Sequence, residues 1–217
     1  MSVPQHVVKE GFQVITQELE RVGWVKRKTG GNIYSTELSV ELYGSLGLNN
    51  VVHGRQGFVE VNPLIGVGHH ELEKIFTQLL DTKWTPYTGT ALITNIGYLM
   101  PENSYKAWFY KAESDWRELA REMAGAIQEY GRPFLVSNSS LSALCQTMQT
   151  TNLGNPHLLE CRIPIALLLL GRSMEAERFL EAQLGRIEGQ SNPAATMYRS
   201  FATRFRELMK KSGGARN

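Results

Sequence analysis

Residues 114–135, SDWRELAREMAGAIQEYGRPFL, contain the clearest helical pattern in the chain and separate a strand-rich first half from a helical remainder. Apolar side chains recur there at three- and four-residue spacing, which predicts one buried stripe. The stripe consists of Trp116, Leu119, Ala120, Met123, Ile127 and Tyr130. Ser114 is a favourable N-cap, and Gly131 stands where helices commonly end in a left-handed residue. We therefore expect a helix that runs from about Ser114 to Gly131 and covers a sheet.

The segment before this helix has the pattern of a mixed α and β structure. A first helix is predicted up to about Gly23, because apolar residues from Val8 to Val22 follow the helical period. Strands are predicted at 24–28, 33–43, 51–53, 57–64, 91–100 and 106–110, with a second helix near 69–80. The glycines and asparagines of residues 44–50 predict a loop between two of these strands.

The chain changes character after Thr150, where no further strand is predicted. Residues 152–156 have the composition of a linker, and helices are predicted at 158–170, 173–187 and 193–211. Asn192 is the expected N-cap of the last helix. The sequence thus predicts an α+β fold with an antiparallel sheet of five to six strands covered by helices. We divide it into an α+β domain (1–151) and a three-helix subdomain packed on it (152–217).

Composition narrows the class of protein and its location. The chain has 217 residues, 42% of them hydrophobic, with a net charge of +2, so a large core is expected and nucleic acid is disfavoured as a partner. The longest apolar run, residues 165–170, is too short to cross a bilayer, and no secretory signal is recognised at the N-terminus. Two cysteines in a chain of this size fit a reducing compartment. We expect a cytoplasmic protein with no membrane partner and no cofactor.

One polar cluster predicts an alternative function. His69, His70, Glu71 and also Glu73 carry side chains that bind metals, but adjacent histidines on a helix diverge, and the spacing of zinc proteases is absent. Gly66 and Gly68 precede this cluster and are interpreted as turn residues, since the third glycine of a dinucleotide loop is missing. No metal site is predicted. His69, His70 and Glu71 could instead form, together with Arg132, the pocket of an enzyme that acts on a small molecule or nucleotide.

Cysteine and serine side chains supply the candidate nucleophiles. Cys161 stands beside Arg162 and is the more plausible reactive thiol, whereas Cys145 falls on an apolar stripe; packing is the competing interpretation for both. The serines at 137, 139 and 140 lack the Gly-x-Ser-x-Gly elbow and identifiable partners, which favours helix capping. No catalytic residue is assigned from the sequence.

Aromatic residues are frequent in the strand-rich half. Some of them could form an exposed surface that binds another protein, while the alternative is that they fill the core and its rim. The candidate binding residues are Trp84, Tyr87, Tyr98, Tyr105 and Trp108.

The order of elements also suggests a family. A helix ending at Gly23-Trp24, a basic hairpin with Tyr34, an edge region at 57–59 and a late helix ending in residues 130–135 occur in succession. Over residues 5–148 this layout resembles small bacterial α+β proteins, some of which neighbour polymorphic toxins and act as immunity proteins. The resemblance implies a non-enzymatic protein that binds another protein, with a toxin domain as the implied partner. The near-neutral charge of this chain departs from the acidic surface common among antagonists of basic nucleases.

Overall fold

The computed structural model describes residues 3–28, 30–82 and 90–214, with side chains given up to residue 211. The protein has the predicted α+β fold, with a curled antiparallel sheet and several helices. The chain divides into two compact units. Unit 1 comprises Met1–Val67 and Ile93–Ser139, and unit 2 comprises Gly68–Leu92 and Ser140–Asn217. Unit 2 therefore contains, besides the three C-terminal helices, residues 68–92 and 140–151.

Six strands form the described part of the sheet, in the order β1-β2-β3-β4-β5, with β6 also pairing with β4. They are β1 Val25–Lys26, β2 Ile33–Glu37, β3 Leu42–His53, β4 Phe58–His69, β5 Leu92–Asn95 and β6 Trp108–Lys111. The pairs β1-β2, β2-β3 and β4-β6 are antiparallel. Since β4 is twelve residues long, β6 needs only its first four residues, Phe58 to Val61, as partners.

Eight α-helices accompany these strands in the described residues. They are α1 Gln5–Arg21, α2 His70–Leu79, α3 Trp116–Ala126, α4 Arg132–Ser137, α5 Leu141–Thr150, α6 Pro156–Leu169, α7 Ser173–Arg186 and α8 Pro193–Gly214. A 3-10 turn, Ile96–Leu99, follows β5, and a π-helical segment, Ile127–Gly131, joins α3 to α4. No helix among the described residues is long and apolar enough to span a membrane.

The prediction of one strand over residues 33–43 was wrong, because a tight turn divides it. Val40 lies at the tip of the turn with 97% of its side chain exposed. The Ser39 hydroxyl accepts hydrogen bonds from the amides of Glu41 and Leu42, which holds the reversal. Alternating apolar residues predicted a strand, whereas the local side-chain hydrogen bonds of serine favour the turn.

The predicted loop at residues 44–50 was also wrong, since these residues belong to β3. A Cβ on Gly44 would lie 2.8 Å from Thr36 and 3.0 Å from Leu135, so the strand has glycine because α4 packs closely on it. Gly66 and Gly68 likewise lie inside β4 rather than in a turn. Residues 65–69 are all buried, which suits small side chains in a covered strand.

The central helix continues past Gly131, whereas the sequence predicted that it ends there. Asp115 rather than Ser114 is its N-cap, accepting hydrogen bonds from the amides of Arg117 and Glu118. Gly131 is right-handed helical with φ −75°, and the chain continues through the π-helical segment into α4. A Cβ on Gly131 would lie 2.5 Å from the Ile65 Cδ1 atom. The glycine therefore permits close packing and does not terminate the helix.

The predicted buried stripe of this helix is confirmed for its main members. Trp116, Met123 and Ile127 are all buried. The ring of Trp116 lies 4.6 Å from that of Tyr110 of β6, tilted by 36°, and the indole also packs against Gly11 of α1, where a Cβ would overlap it. The stripe thus packs on a helix as well as on the sheet.

Unit 2 contains the helices predicted for the C-terminal part, with nearly the predicted bounds. Asn192 accepts a hydrogen bond from the amide of Ala195 at 2.9 Å, which confirms it as the N-cap of α8. Helix α2 joins these helices, because Arg204 of α8 donates a hydrogen bond to the carbonyl of Leu79 at 3.1 Å. The buried ion pair between Glu73 and Arg162 links α2 to α6 in the same way.

Candidate functional site

The outward face of β4 and β6 in unit 1 carries polar and aromatic side chains together. Successive side chains of a strand point to opposite faces, and Val59 and Tyr110, which are paired partners, are buried on the inner face. On the outer face, Glu60 lies directly opposite Phe109, whose side chain is 52% exposed. The pairing register therefore places an acidic side chain beside an exposed ring.

Two neighbouring side chains hold the Glu60 carboxylate. Nε2 of His53, the last residue of β3, lies 2.9 Å from Oε2 of Glu60. The hydroxyl of Tyr105 donates a hydrogen bond to Oε1 at 2.7 Å. The bonds to Tyr105 and then to His53 lower the pKa of Glu60. The result is an ionised carboxylate with a fixed orientation on an accessible face of the sheet.

Four rings surround this carboxylate. Phe58 lies 4.5 Å from the His53 ring and 5.4 Å, edge to face, from the Phe109 ring. Tyr105 is half exposed and joins this group through its hydrogen bond to Glu60. We call the set of His53, Phe58, Glu60, Tyr105 and Phe109 the aromatic surface.

The negative charge and the rings of the aromatic surface favour the binding of a cation. Ring faces attract cationic side chains, and a desolvated ring contributes more than an exposed one. Burial, followed by the bond to Glu60, raises the pKa of Tyr105, so the phenol remains a hydrogen-bond donor. One carboxylate among four rings can therefore receive an arginine or lysine side chain through charge and ring contacts together.

Only part of the predicted aromatic set lies on this surface. Tyr105 belongs to it, and Tyr98 is exposed elsewhere, in the 3-10 turn. Trp108 is buried on the inner face of β6, where its indole donates a hydrogen bond to Glu122 at 3.1 Å. Trp84 and Tyr87 lie outside the described residues.

Sequence reasoning missed the other members of the aromatic surface. The alternation in Phe58-Val59-Glu60-Val61 and in Trp108-Phe109-Tyr110-Lys111 contains the signal for an outward Phe58 and Phe109. The pairing of β4 with β6, which only the tertiary structure gives, places Phe109 beside the Glu60 carboxylate, and the reversal between β3 and β4 places His53 there.

Two of the four residues of the alternative enzyme pocket, His69 and Glu71, have local structural roles. His69 is buried and caps α2, its Nδ1 accepting a hydrogen bond from the amide of Leu72 at 3.3 Å. His70 is exposed, and Glu71 pairs with Lys74 on the helix surface. These three belong to unit 2, whereas Arg132 belongs to unit 1. No group of three metal-binding side chains is found within the described ranges.

The candidate nucleophiles also have structural roles. Cys145 and Cys161 are free and buried, and burial raises the pKa of the Cys161 thiol to about 12, so it is not a thiolate at neutral pH. Ser140 accepts a hydrogen bond from the amide of Ala143 and caps α5, as predicted. The hydroxyl of Ser139 donates to a main-chain carbonyl of the preceding turn.

Comparison with known proteins gave no match among family models, curated proteins or solved structures.

Proposed function

We propose that this protein is a non-enzymatic binding protein that holds another protein through the aromatic surface. The observation that carries the proposal is the Glu60 carboxylate, fixed by His53 and Tyr105 among exposed rings. Fixing the side chains before association reduces the entropy that binding must overcome. Aromatic anchors of this kind contribute a large share of the binding energy at protein interfaces.

The partner segment that fits this surface presents an arginine or lysine side chain. Glu60 would receive its charge, while Phe58 and Phe109 would cover its aliphatic stem. A bacterial toxin domain with such a basic residue is the finer form of this proposal, and it rests on the layout resemblance to immunity proteins. The proposed location is the cytoplasm, which two free buried thiols favour.

The decisive experiment is a pull-down from the native host, followed by binding measurements with the recombinant partner. The test variants are Phe109→Ala, which removes an exposed ring, and Glu60→Gln, which removes the charge while keeping the shape. Met174→Ala is the control, because Met174 is exposed in unit 2 and is not part of the aromatic surface. We expect loss of the Phe109 ring to cost about 2 kcal/mol of binding, roughly a thirtyfold weaker Kd.

The partner itself provides the second half of the test. Replacing the arginine or lysine of the partner that is protected on binding should weaken the wild-type complex, with little further effect on the Glu60→Gln complex. A partner that binds wild type, Phe109→Ala and Glu60→Gln equally well would refute the proposal.

A further inference from the structure

Unit 1 contains a second feature that the proposed binding function does not use, a cavity of about 300 Å³. It lies between the end of α1, the β2-β3 turn and the π-helical segment with α4, and all of its lining residues belong to unit 1. Small-molecule pockets span roughly 300–1,000 Å³, so this cavity suits a small metabolite.

The cavity carries one charge of each sign. Arg132 and Glu37 both line it, and neither side chain forms a hydrogen bond or ion pair with any residue that the structure describes. Two opposite charges that face the same cavity without pairing with each other leave both available to a ligand.

An indole donor adds a directional contact. Trp24 lines the cavity and is 4% exposed, yet its indole N–H donates to no described residue. The other two described tryptophans are satisfied, Trp108 by Glu122 and Trp116 by the carbonyl of Lys111. The Trp24 nitrogen is not among the buried polar atoms that lack a partner, so this N–H is accessible from the cavity and can donate to an acceptor on a ligand.

The π-helical segment builds one wall of the cavity. The amide of Arg132 donates to the carbonyl of Ile127, five residues earlier, which stacks the two residues one above the other on the lining. Gln128, between them, donates a hydrogen bond to the carbonyl of Val22 at 2.7 Å and ties the segment to the end of α1. Such π turns occur frequently at functional sites.

We infer that this cavity binds a free α-amino acid with an apolar side chain. Its carboxylate would meet the Arg132 guanidinium and the Trp24 indole N–H, and its ammonium group would meet Glu37. The side chain would lie against the apolar lining residues Leu38, Ile127 and Leu135. Both charged groups of the ligand are required for binding, because a cavity with one unpaired cation and one unpaired anion discriminates against a ligand with a single charge.

The test uses the full chain and two-dimensional proton–nitrogen NMR, with the Trp24 indole peak assigned by its absence in Trp24→Phe. The probes are L-leucine, L-phenylalanine, isocaproate, which lacks the ammonium group, and isoamylamine, which lacks the carboxylate. We expect one of the two amino acids to shift the Trp24 indole peak saturably and to leave the Trp108 and Trp116 peaks in place. Isocaproate and isoamylamine should bind at least about tenfold more weakly than leucine.

Matched variants test the residues. Arg132→Gln and Glu37→Gln should each weaken binding about tenfold or more, while Arg55→Gln and Glu10→Gln, exposed and outside the cavity, should not. The ligand series on wild type needs none of the charge variants, so a misfolded Arg132→Gln or Glu37→Gln variant leaves the test intact. The absence of any shift at about 10 mM of either amino acid would overturn the inference. Equal affinity for leucine and isocaproate would overturn it as well.

Discussion

The Arg162 guanidinium donates two hydrogen bonds to the Glu73 carboxylate, at 2.8 and 2.9 Å, and both side chains are almost fully excluded from solvent. The guanidinium also lies 3.8 Å from the centre of the Phe76 ring. Burial raises the pKa of the Glu73 carboxyl, and the attraction of Arg162 opposes that shift. The pair joins residues 89 positions apart and explains why α2 belongs to the helical unit.

Removing one partner of this pair should destabilise the protein strongly. Glu73→Gln leaves the buried Arg162 charge without its counter-ion, which should lower the free energy of unfolding by about 3–5 kcal/mol. Urea denaturation measures the loss. The double variant Glu73→Leu, Arg162→Met should lose much less, because no buried charge remains. A loss below about 1 kcal/mol for Glu73→Gln would be typical of an exposed pair and would contradict the buried geometry.

The same pair predicts the fate of a fragment that ends at Thr151. Such a fragment lacks Arg162 and Arg204, so Glu73 is left unpaired, Phe76 loses the guanidinium over its ring, and α2 loses its links to α6 and α8. We expect poor solubility and no cooperative transition at the midpoint of the intact chain in calorimetry. A soluble fragment that melts at that same midpoint would show that the first 151 residues fold independently.

Two glycines of the central helical region should respond oppositely to alanine. At Gly131 a Cβ would lie 2.5 Å from Ile65, so Gly131→Ala should cost about 1–3 kcal/mol through overpacking. At Gly125, exposed in α3, nothing lies within 4 Å, so Gly125→Ala should stabilise by up to about 1 kcal/mol. Thermal and urea unfolding of both variants measure the difference. Equal effects would indicate that the approach of Ile65 does not constrain Gly131.

The buried face of the central helix gives a further stability prediction. Ile127 is 1% exposed, and Ile127→Ala should cost about 2–5 kcal/mol, since the truncation leaves a cavity in the core. Glu118→Ala, on the exposed face of α3, is the control and should change stability by less than about 1 kcal/mol. A loss below roughly 0.5 kcal/mol for Ile127→Ala would place that face in solvent.

The pKa of Glu60 should depend on Tyr105. Because its folded-state pKa is lowered, Glu60 favours the folded state above its ordinary pKa, and this contribution is lost as the pH falls through the folded value. Tyr105→Phe removes the largest cause of the shift, so the pKa of Glu60 should rise toward its usual value. Carbon-detected NMR titration of the carboxyl measures it, with Tyr98→Phe as the control. An unchanged titration in Tyr105→Phe would show that the phenol does not hold the carboxylate.

The helices of unit 2 show how much local pattern can predict. Asn192 and Ser140 were predicted as caps, and both accept a hydrogen bond from an amide three residues later. Such contacts depend on neighbouring residues alone, so the sequence contains the whole signal. The apolar period of residues 116–127 is of the same kind, and it correctly gave the buried face of α3.

By itself, then, the sequence determined the α+β class, the N-caps of α5 and α8 and the buried face of α3, because these depend on spacing within one element. Only the tertiary structure decided the role of Gly44 and Gly131, which the sequence placed in a loop and a helix end. Each is glycine because a distant side chain, Leu135 or Ile65, approaches its backbone. The aromatic surface has the same origin, since strand pairing brings Glu60 to Phe109, and neighbouring chain segments supply His53 and Tyr105. Contacts between residues far apart in the chain leave no periodic pattern, and for that reason the site emerges only when the chain is folded.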